Sequence, residues 1–175
     1  MKPIISLLLA LLSVGSLSNH ESAATGEAIR VYVFLHESCL ISQHYTLDLK
    51  KLHEQYASER IVFEGIFPNK SSKAEKIEAF REKYDIPFAL SLDHSQEVTR
   101  QWDAEVTPEV VVVAQESQKV LYKGRIDNAY YRVGKRRQVT TTSELKDVLE
   151  AISQGKPVTT KSRTAIGCFI ERIRS

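Results

Sequence analysis

The run Ile29-Arg30-Val31-Tyr32-Val33-Phe34-Leu35 sets apolar side chains on both faces of an extended chain, the pattern of a strand covered on each side. Ile41, Tyr45, Leu49, Leu52 and Tyr56 then recur at helical spacing, and residues 61–67 read as a second strand ended by Pro68-Asn69. Ser72 and Glu75 have the spacing of a capping box before a helix carrying Ile77, Phe80 and Tyr84, with Pro87 as its stop. A short strand over residues 88–92 and a short helix over 95–102 follow. Residues 109–113 and 119–122 form a predicted hairpin, succeeded by a basic loop. Thr141 to Glu144 reads as the cap of a last helix, with Leu145, Val148, Leu149 and Ile152 facing inward and Gly155 and Pro157 closing it. The resulting order, β-α-β-α-β-α-β-β-α without internal repeat, predicts an α/β fold with a mixed central sheet flanked by helices.

The two ends read differently. Met1-Lys2, an apolar run from Ile4 to Val14 and small residues at Ser16 and Ser18 have the form of a cleaved signal peptide over residues 1–18. The run is shorter than the roughly 20 apolar residues a membrane-spanning helix needs. No cysteine follows it to carry a lipid. An exported protein is therefore expected, most simply in a bacterial periplasm, where disulfides form. A polar leader (19–27), one domain (28–158) and a polar tail (159–175) carrying Cys168 complete the organisation, with residues 159–164 expected to be flexible.

Composition adds mainly exclusions. At 175 residues, 42% hydrophobic and 26% charged, the chain suits one globular domain. Its 24 basic and 22 acidic residues leave +2, too little for an electrostatic nucleic-acid or membrane-surface binder. Two cysteines are too few for a disulfide scaffold or a Cys-rich zinc site.

Cys39 stands between the first strand and the following helix, the usual location of functional residues in open α/β sheets. A thiol at a helix N-terminus meets unsatisfied N–H groups and the positive dipole end, which favours the thiolate. The spacing from Cys39 to Ser42 is C-x-x-S: Ser42 can donate a hydrogen bond to a thiolate but cannot exchange a disulfide. Thr107-Pro108, entering the Val-rich strand from a loop, is a candidate cis peptide. Cys168 is either a tail thiol without a role or the one internal thiol able to resolve a mixed disulfide at Cys39. Separation along the chain is no obstacle, because loop-closure cost grows only logarithmically with length.

These residues resemble the thioredoxin-like redoxins related to alkyl hydroperoxide reductase and thiol-specific antioxidant proteins. The resemblance rests on Phe34-Leu35-His36-Glu37-Ser38-Cys39, on residues 63–68, on Val106-Thr107-Pro108-Glu109-Val110 and on residues 120–128. Gly134-Lys135, the stretch 155–158 and Gly167-Cys168-Phe169-Ile170 are similar to an exported bacterial subgroup with a longer C-terminus. The resemblance implies a thioredoxin fold, Cys39 as redox nucleophile and Thr107-Pro108 as a cis-proline loop facing it. The family usually carries a second cysteine where Ser42 stands.

The leading expectation is an exported thiol–disulfide oxidoreductase with Cys39, Ser42, Thr107, Pro108 and Cys168 at its site, no cofactor, and a protein or small-molecule disulfide or thiol as partner. A thiol peroxidase is the alternative, although the P-x-x-x-T-x-x-C pattern of a peroxiredoxin is met by Tyr32 and His36 in place of Pro and Thr. Two non-enzymatic alternatives are a copper or zinc module using Cys39, Cys168, His36 and His44, and a redoxin scaffold without turnover. His53 and His94 read as solvated, and Arg132 with Lys135-Arg136-Arg137 as a solvated loop or a docking patch for an acidic partner. Arg125, Asp127 and Asn128 are expected to organise a turn, and Phe80, Tyr84 and Trp102 to lie in or near the core.

Overall fold

The computed structural model describes residues 26–173; the signal-peptide reading and most of the polar leader fall outside them. The elements are β1 (Ile29–Phe34), α1 (Leu40–Tyr56), β2 (Ile61–Phe67), α2 (Ala74–Tyr84), β3 (Ala89–Leu92), α3 (Glu97–Gln101), β4 (Val106–Thr107), β5 (Glu109–Ala114), β6 (Lys119–Gly124), β7 (Tyr130–Arg132), β8 (Lys135–Arg136), α4 (Glu144–Ser153) and β9 (Cys168–Phe169). Five strands form a mixed sheet in the order β3-β2-β1-β5-β6. β1, β2 and β3 run parallel, while β5 is antiparallel to β1 and to β6. β5 is therefore an interior strand, and only β6 adds an edge on that side. This is the thioredoxin-like arrangement that the resemblance implied.

Alternation along β1 and β5 divides the core in two, because successive side chains of a strand point to opposite faces. Val31, Val33, Val110 and Val112 face the larger cluster with Leu49 of α1 and Leu145 and Leu149 of α4. Phe34, Val111 and Val113 face the other side, where Trp102, Ala104 and Ile170 cover them. The five apolar positions expected on α1 are all buried, as are the four on α4.

Several local expectations are corrected. Ser72 does not cap α2: Lys73 is the N-cap residue, and the Ser72 hydroxyl donates to Glu37 Oε2 at 2.6 Å. α2 ends at the left-handed residue Asp85 (φ 50°), ahead of Pro87. No side chain caps α4 either; the Thr142 hydroxyl donates to Glu144 Oε1 at 2.9 Å, and Arg125 pairs with the same oxygen. Ser72 thus turns to a carboxylate 35 positions away, whereas Thr142 turns to one two residues on that Arg125 also holds. The basic loop is a small hairpin, β7–β8. His53 packs edge-on against Phe63 with ring centroids 5.4 Å apart, and His94 Nε2 lies 2.8 Å from Ser72 O, so neither is simply solvated. Asp127 and Asn128 do organise their turn, accepting from Ala129 N at 2.7 Å and Thr141 N at 2.9 Å.

The largest correction concerns the tail. Residues 159–167 have no regular structure, yet from Arg163 onward the tail is held in place. Arg125 N donates to Arg163 O at 3.0 Å, Ile170 N to Glu105 O at 2.9 Å, Gln96 Nε2 to Glu171 O at 2.7 Å, and Ile173 N to Gln96 Oε1 at 3.1 Å. Ile170 is 5% exposed and belongs to the second core cluster. The tail is thus a structural strap. Truncating a buried Ile to Ala costs about 2–5 kcal/mol. Ile170→Ala should lower global stability by an amount in that range in urea unfolding of the reduced protein. An unchanged midpoint would mean that the tail is the free arm its composition suggested.

Candidate redox site

Cys39 is the N-cap residue of α1, in extended conformation (φ −80°, ψ 114°), immediately beyond the C-terminal end of β1. β1 sits between β2 and β5, so the sheet fixes the point where the chain turns into the helix. His36 O accepts from Cys39 N at 3.0 Å, and Cys39 O accepts from Gln43 N at 2.9 Å, which closes the first helical turn around the residue. The neutral thiol makes no capping hydrogen bond to the backbone, although the Ile41 and Ser42 amides lie near enough to favour a charge on the sulfur. Ser42, one turn on, is fully buried, and its hydroxyl oxygen lies 3.4 Å from His36 N.

The Thr107-Pro108 peptide is cis. It turns the chain from β4 into β5 and leaves the Thr107 carbonyl over Cys39, 3.2 Å from Sγ, where it accepts from the protonated thiol. β4 pairs antiparallel with β9, placing Cys168 opposite Thr107 and Phe169 opposite Val106. The Thr107 hydroxyl adds a long contact of 3.4 Å to Cys168 O. This pairing brings the two sulfurs to 2.8 Å from each other, both as free thiols.

Two glycines seat the tail. A Cβ on Gly167 would lie 2.2 Å from Thr107 O and 2.6 Å from Thr107 C, and one on Gly124 would lie 2.2 Å from Arg163 O. Backbone atoms cannot swing aside as a side-chain tip can, so both contacts require glycine. Gly124 also has a positive φ of 148°, which an L side chain rarely adopts.

The two thiols differ in proton affinity. Burial pushes the Cys39 thiol up, but the hydrogen bond offered by Cys168, the backbone and hydroxyl of Ser42 and the amide of Ile41 outweigh it, and its pKa falls below the ordinary value. Burial, donation to Cys39 and the neighbouring negative charge push Cys168 up to about 12. When the pair has lost one proton, the charge is therefore favoured on Cys39 and the remaining proton on Cys168, which donates toward it. Such a pair is chemically suited to disulfide exchange, because a thiolate is both the attacking and the leaving form of sulfur.

All five expected site residues meet here: Cys39, Ser42, Thr107 and Pro108 around one sulfur, and Cys168 against it. Gly167 escaped the sequence reading as a site residue, although it stands in the quoted Gly167-Cys168 pair; a glycine reports nothing of the backbone it must pass. The two peroxiredoxin-motif positions are otherwise engaged. Tyr32 stacks near Trp102 with centroids 5.9 Å apart, and His36 Nε2 lies 3.2 Å from Ser71 Oγ. His44 packs edge-on against Tyr130 at 5.7 Å. Among the described residues no three His, Cys, Asp or Glu side chains converge as a metal site would require.

Comparison with known proteins bears on the family and the fold. The profile of the AhpC/TSA family matches residues 15–137, which includes Cys39 and Thr107-Pro108 and stops short of α4 and Cys168. An uncharacterized conserved protein of Geobacillus kaustophilus superposes with a TM-score of 0.74 at 25% identity, over 87% of this chain and 81% of its own. A hypothetical protein of Sinorhizobium meliloti gives a TM-score of 0.73 at 21% identity, over 87% of this chain and 84% of its own. No curated protein matches the chain.

The shared proton makes a titration test available. Thiolate absorbance of the reduced protein should rise in two separated steps, which belong to the pair as a whole. The first should fall below the usual cysteine range of about 8.5, and the second should lie near 12. Cys168→Ala removes a donor to the Cys39 thiolate and should move the first step upward. Two overlapping steps near the ordinary cysteine value would show that the sulfurs do not share a proton.

Proposed function

The chain belongs to the AhpC/TSA family of redoxins, and from that premise we propose that it is a thiol–disulfide oxidoreductase whose redox pair is Cys39 and Cys168. The observation that carries this reading is the 2.8 Å approach of two free sulfurs from opposite ends of the chain, one favoured as thiolate and the other held as thiol. Cys39 is the nucleophile, and Ser42 and the amides of the first helical turn stabilise its charge. Thr107-Pro108 fixes the wall against which the pair sits, and Cys168 supplies the second sulfur that Ser42 cannot.

Closing the bridge removes two electrons from the pair and passes them to a partner disulfide, which leaves as two thiols; the Cys168 proton goes to a departing partner sulfur. In the reverse direction the bridge oxidises a dithiol. No cofactor is needed, since the electrons move with sulfur–sulfur bonds. The partner is a protein or small-molecule disulfide or thiol. We place the protein in an oxidising compartment such as the periplasm. The support is the basic start and apolar run of residues 2–14, together with a cysteine pair spaced for a bridge.

Mild oxidation of the isolated protein should yield a Cys39–Cys168 bridge within one chain, read by peptide mapping without reductant. Cys39→Ser and Cys168→Ser should each reduce turnover in a model-disulfide assay to background, and the parent should consume hydroperoxide no faster than a free thiol does. Cysteines that stay unlinked, or that link only between chains, would defeat the assignment. Rapid peroxide consumption retained in Cys168→Ser would favour a peroxidase.

A further inference from the structure

We propose that external thiols enter the redox cycle through Cys168, so that the partner is carried on the tail cysteine and Cys39 acts only inside the protein. This deepens the oxidoreductase reading and rests on it. A protein with a single reactive thiol at the helix N-terminus would take its partner there. Three observations turn the order around in this chain.

The first is access. Cys39 is 2% exposed, under the Thr107 carbonyl on one side and Cys168 on the other, whereas Cys168 is only partly buried. The second is that the neighbouring strand edge is already taken. An extended partner polypeptide would approach Cys39 by adding a strand to β4, which offers main-chain groups beside the sulfur. β9 occupies that edge, in register, with Thr107 opposite Cys168 and Ile170 N on Glu105 O at 2.9 Å. The seat is tight enough to need glycine at 167, and Ile170 is anchored in the core just beyond it. The tail therefore lies where a partner chain would have to lie, and it brings its own sulfur.

The third observation is chemical. When a thiolate opens a disulfide, the sulfur that departs most readily is the one of lower pKa. As a departing sulfur Cys39 keeps donors of its own, the hydroxyl and amide of Ser42 and the amide of Ile41 at the start of α1, whereas burial opposes a charge on Cys168 and no donor among the described residues faces it apart from Cys39. Opening by an external thiolate RS⁻ thus forms a bond to Cys168 Sγ, breaks the Cys168–Cys39 bond, and leaves the electron pair on Cys39 as thiolate. A second RS⁻ then attacks the partner sulfur of the mixed disulfide, giving RSSR and Cys168 thiolate, which takes a proton from water. In the other direction Cys168 attacks RSSR, breaking its S–S bond and passing its proton to the first departing partner sulfur. The Cys39 thiolate then attacks Cys168 Sγ in the mixed disulfide and expels the second as RS⁻. Access, strand occupancy and leaving-group order all select the same sulfur.

The test uses the full chain, oxidised to its bridged form, with glutathione as the probe. Bridge formation is first verified by peptide mapping. Reaction with excess glutathione is quenched with acid at successive short times, and the glutathionylated cysteine is located by mass spectrometry. The adduct should sit on Cys168 in at least about tenfold excess over Cys39 at the earliest times, given the leaving-group order. The comparison is weighted against the proposal. An adduct on Cys39 would be resolved slowly, because Cys168 holds its proton, and would accumulate. An adduct mainly on Cys39, or divided evenly, overturns the proposal while leaving the oxidoreductase reading in place. Failure of the bridge to form overturns both. As a second measurement, Gly167→Ala should lift the tail from Thr107 and raise the alkylation rate of reduced Cys39 at least about tenfold, since access limits thiol reactivity. An unchanged rate would show that the tail is not what shields Cys39.

Discussion

The close passage of the tail backbone over the Thr107 carbonyl is the constraint from which the rest of the site follows. Gly167 allows that passage, the β4–β9 pairing uses it to set Cys168 opposite Thr107, and the sulfur of Cys168 then lies 2.8 Å from that of Cys39. Neither cysteine alone has the properties of the pair. Against its burial, donation from Cys168 is the largest influence holding the Cys39 thiol down, and burial, with the nearness of Cys39 added to it, holds Cys168 up. Together they divide the work: one sulfur keeps the charge, the other the proton.

The rest of the fold holds that contact in place. The covered sheet fixes the C-terminal end of β1, and α1 starts there because its apolar stripe packs on the face lined by Val31 and Val33. The opposite face is closed by Trp102, Ala104 and the tail's own Ile170. The tail thereby serves two ends, since the side chain that completes the core lies two residues beyond the one whose sulfur faces Cys39. Polar contacts from Gln96, Glu105 and Arg125 hold it on either side of that point. A strap anchored at so many places keeps its cysteine beside Cys39, in a chain with serine at position 42, one helical turn on.

The family match covers the strand–loop–helix unit and the cis-proline loop and ends well before Cys168. The common part of the fold thus supplies one of the two facing sulfurs, and the C-terminal segment supplies the other. Ser42 offers Cys39 no sulfur from the helix, and Cys168 offers one from a strand. That strand also fills the β4 edge beside Cys39.

Much of this was readable from the chain by itself. Periodicity located the five strands of the sheet and the helices, since alternation and helical spacing are local records of which face is buried. Strand–Cys39–helix and Thr107-Pro108 are likewise local signals. The sequence could also say that Ser42 cannot exchange and that Cys168 was the one internal alternative. It could not show the tail as a strand, because β4 and β9 are two residues each and take their form from each other across 61 positions. Polar residues 159–164 look like a loose arm until their backbone is seen hydrogen-bonded to Arg125 and seated over Gly124. Ser72 and Thr141–Glu144 look like caps until a buried Glu37 or Arg125 offers a better partner. Local pattern determined which residues could do chemistry. Only long-range packing decided which sulfur would lie under which, because that depends on how close two backbones can come, and a glycine in a sequence does not say what it must let pass.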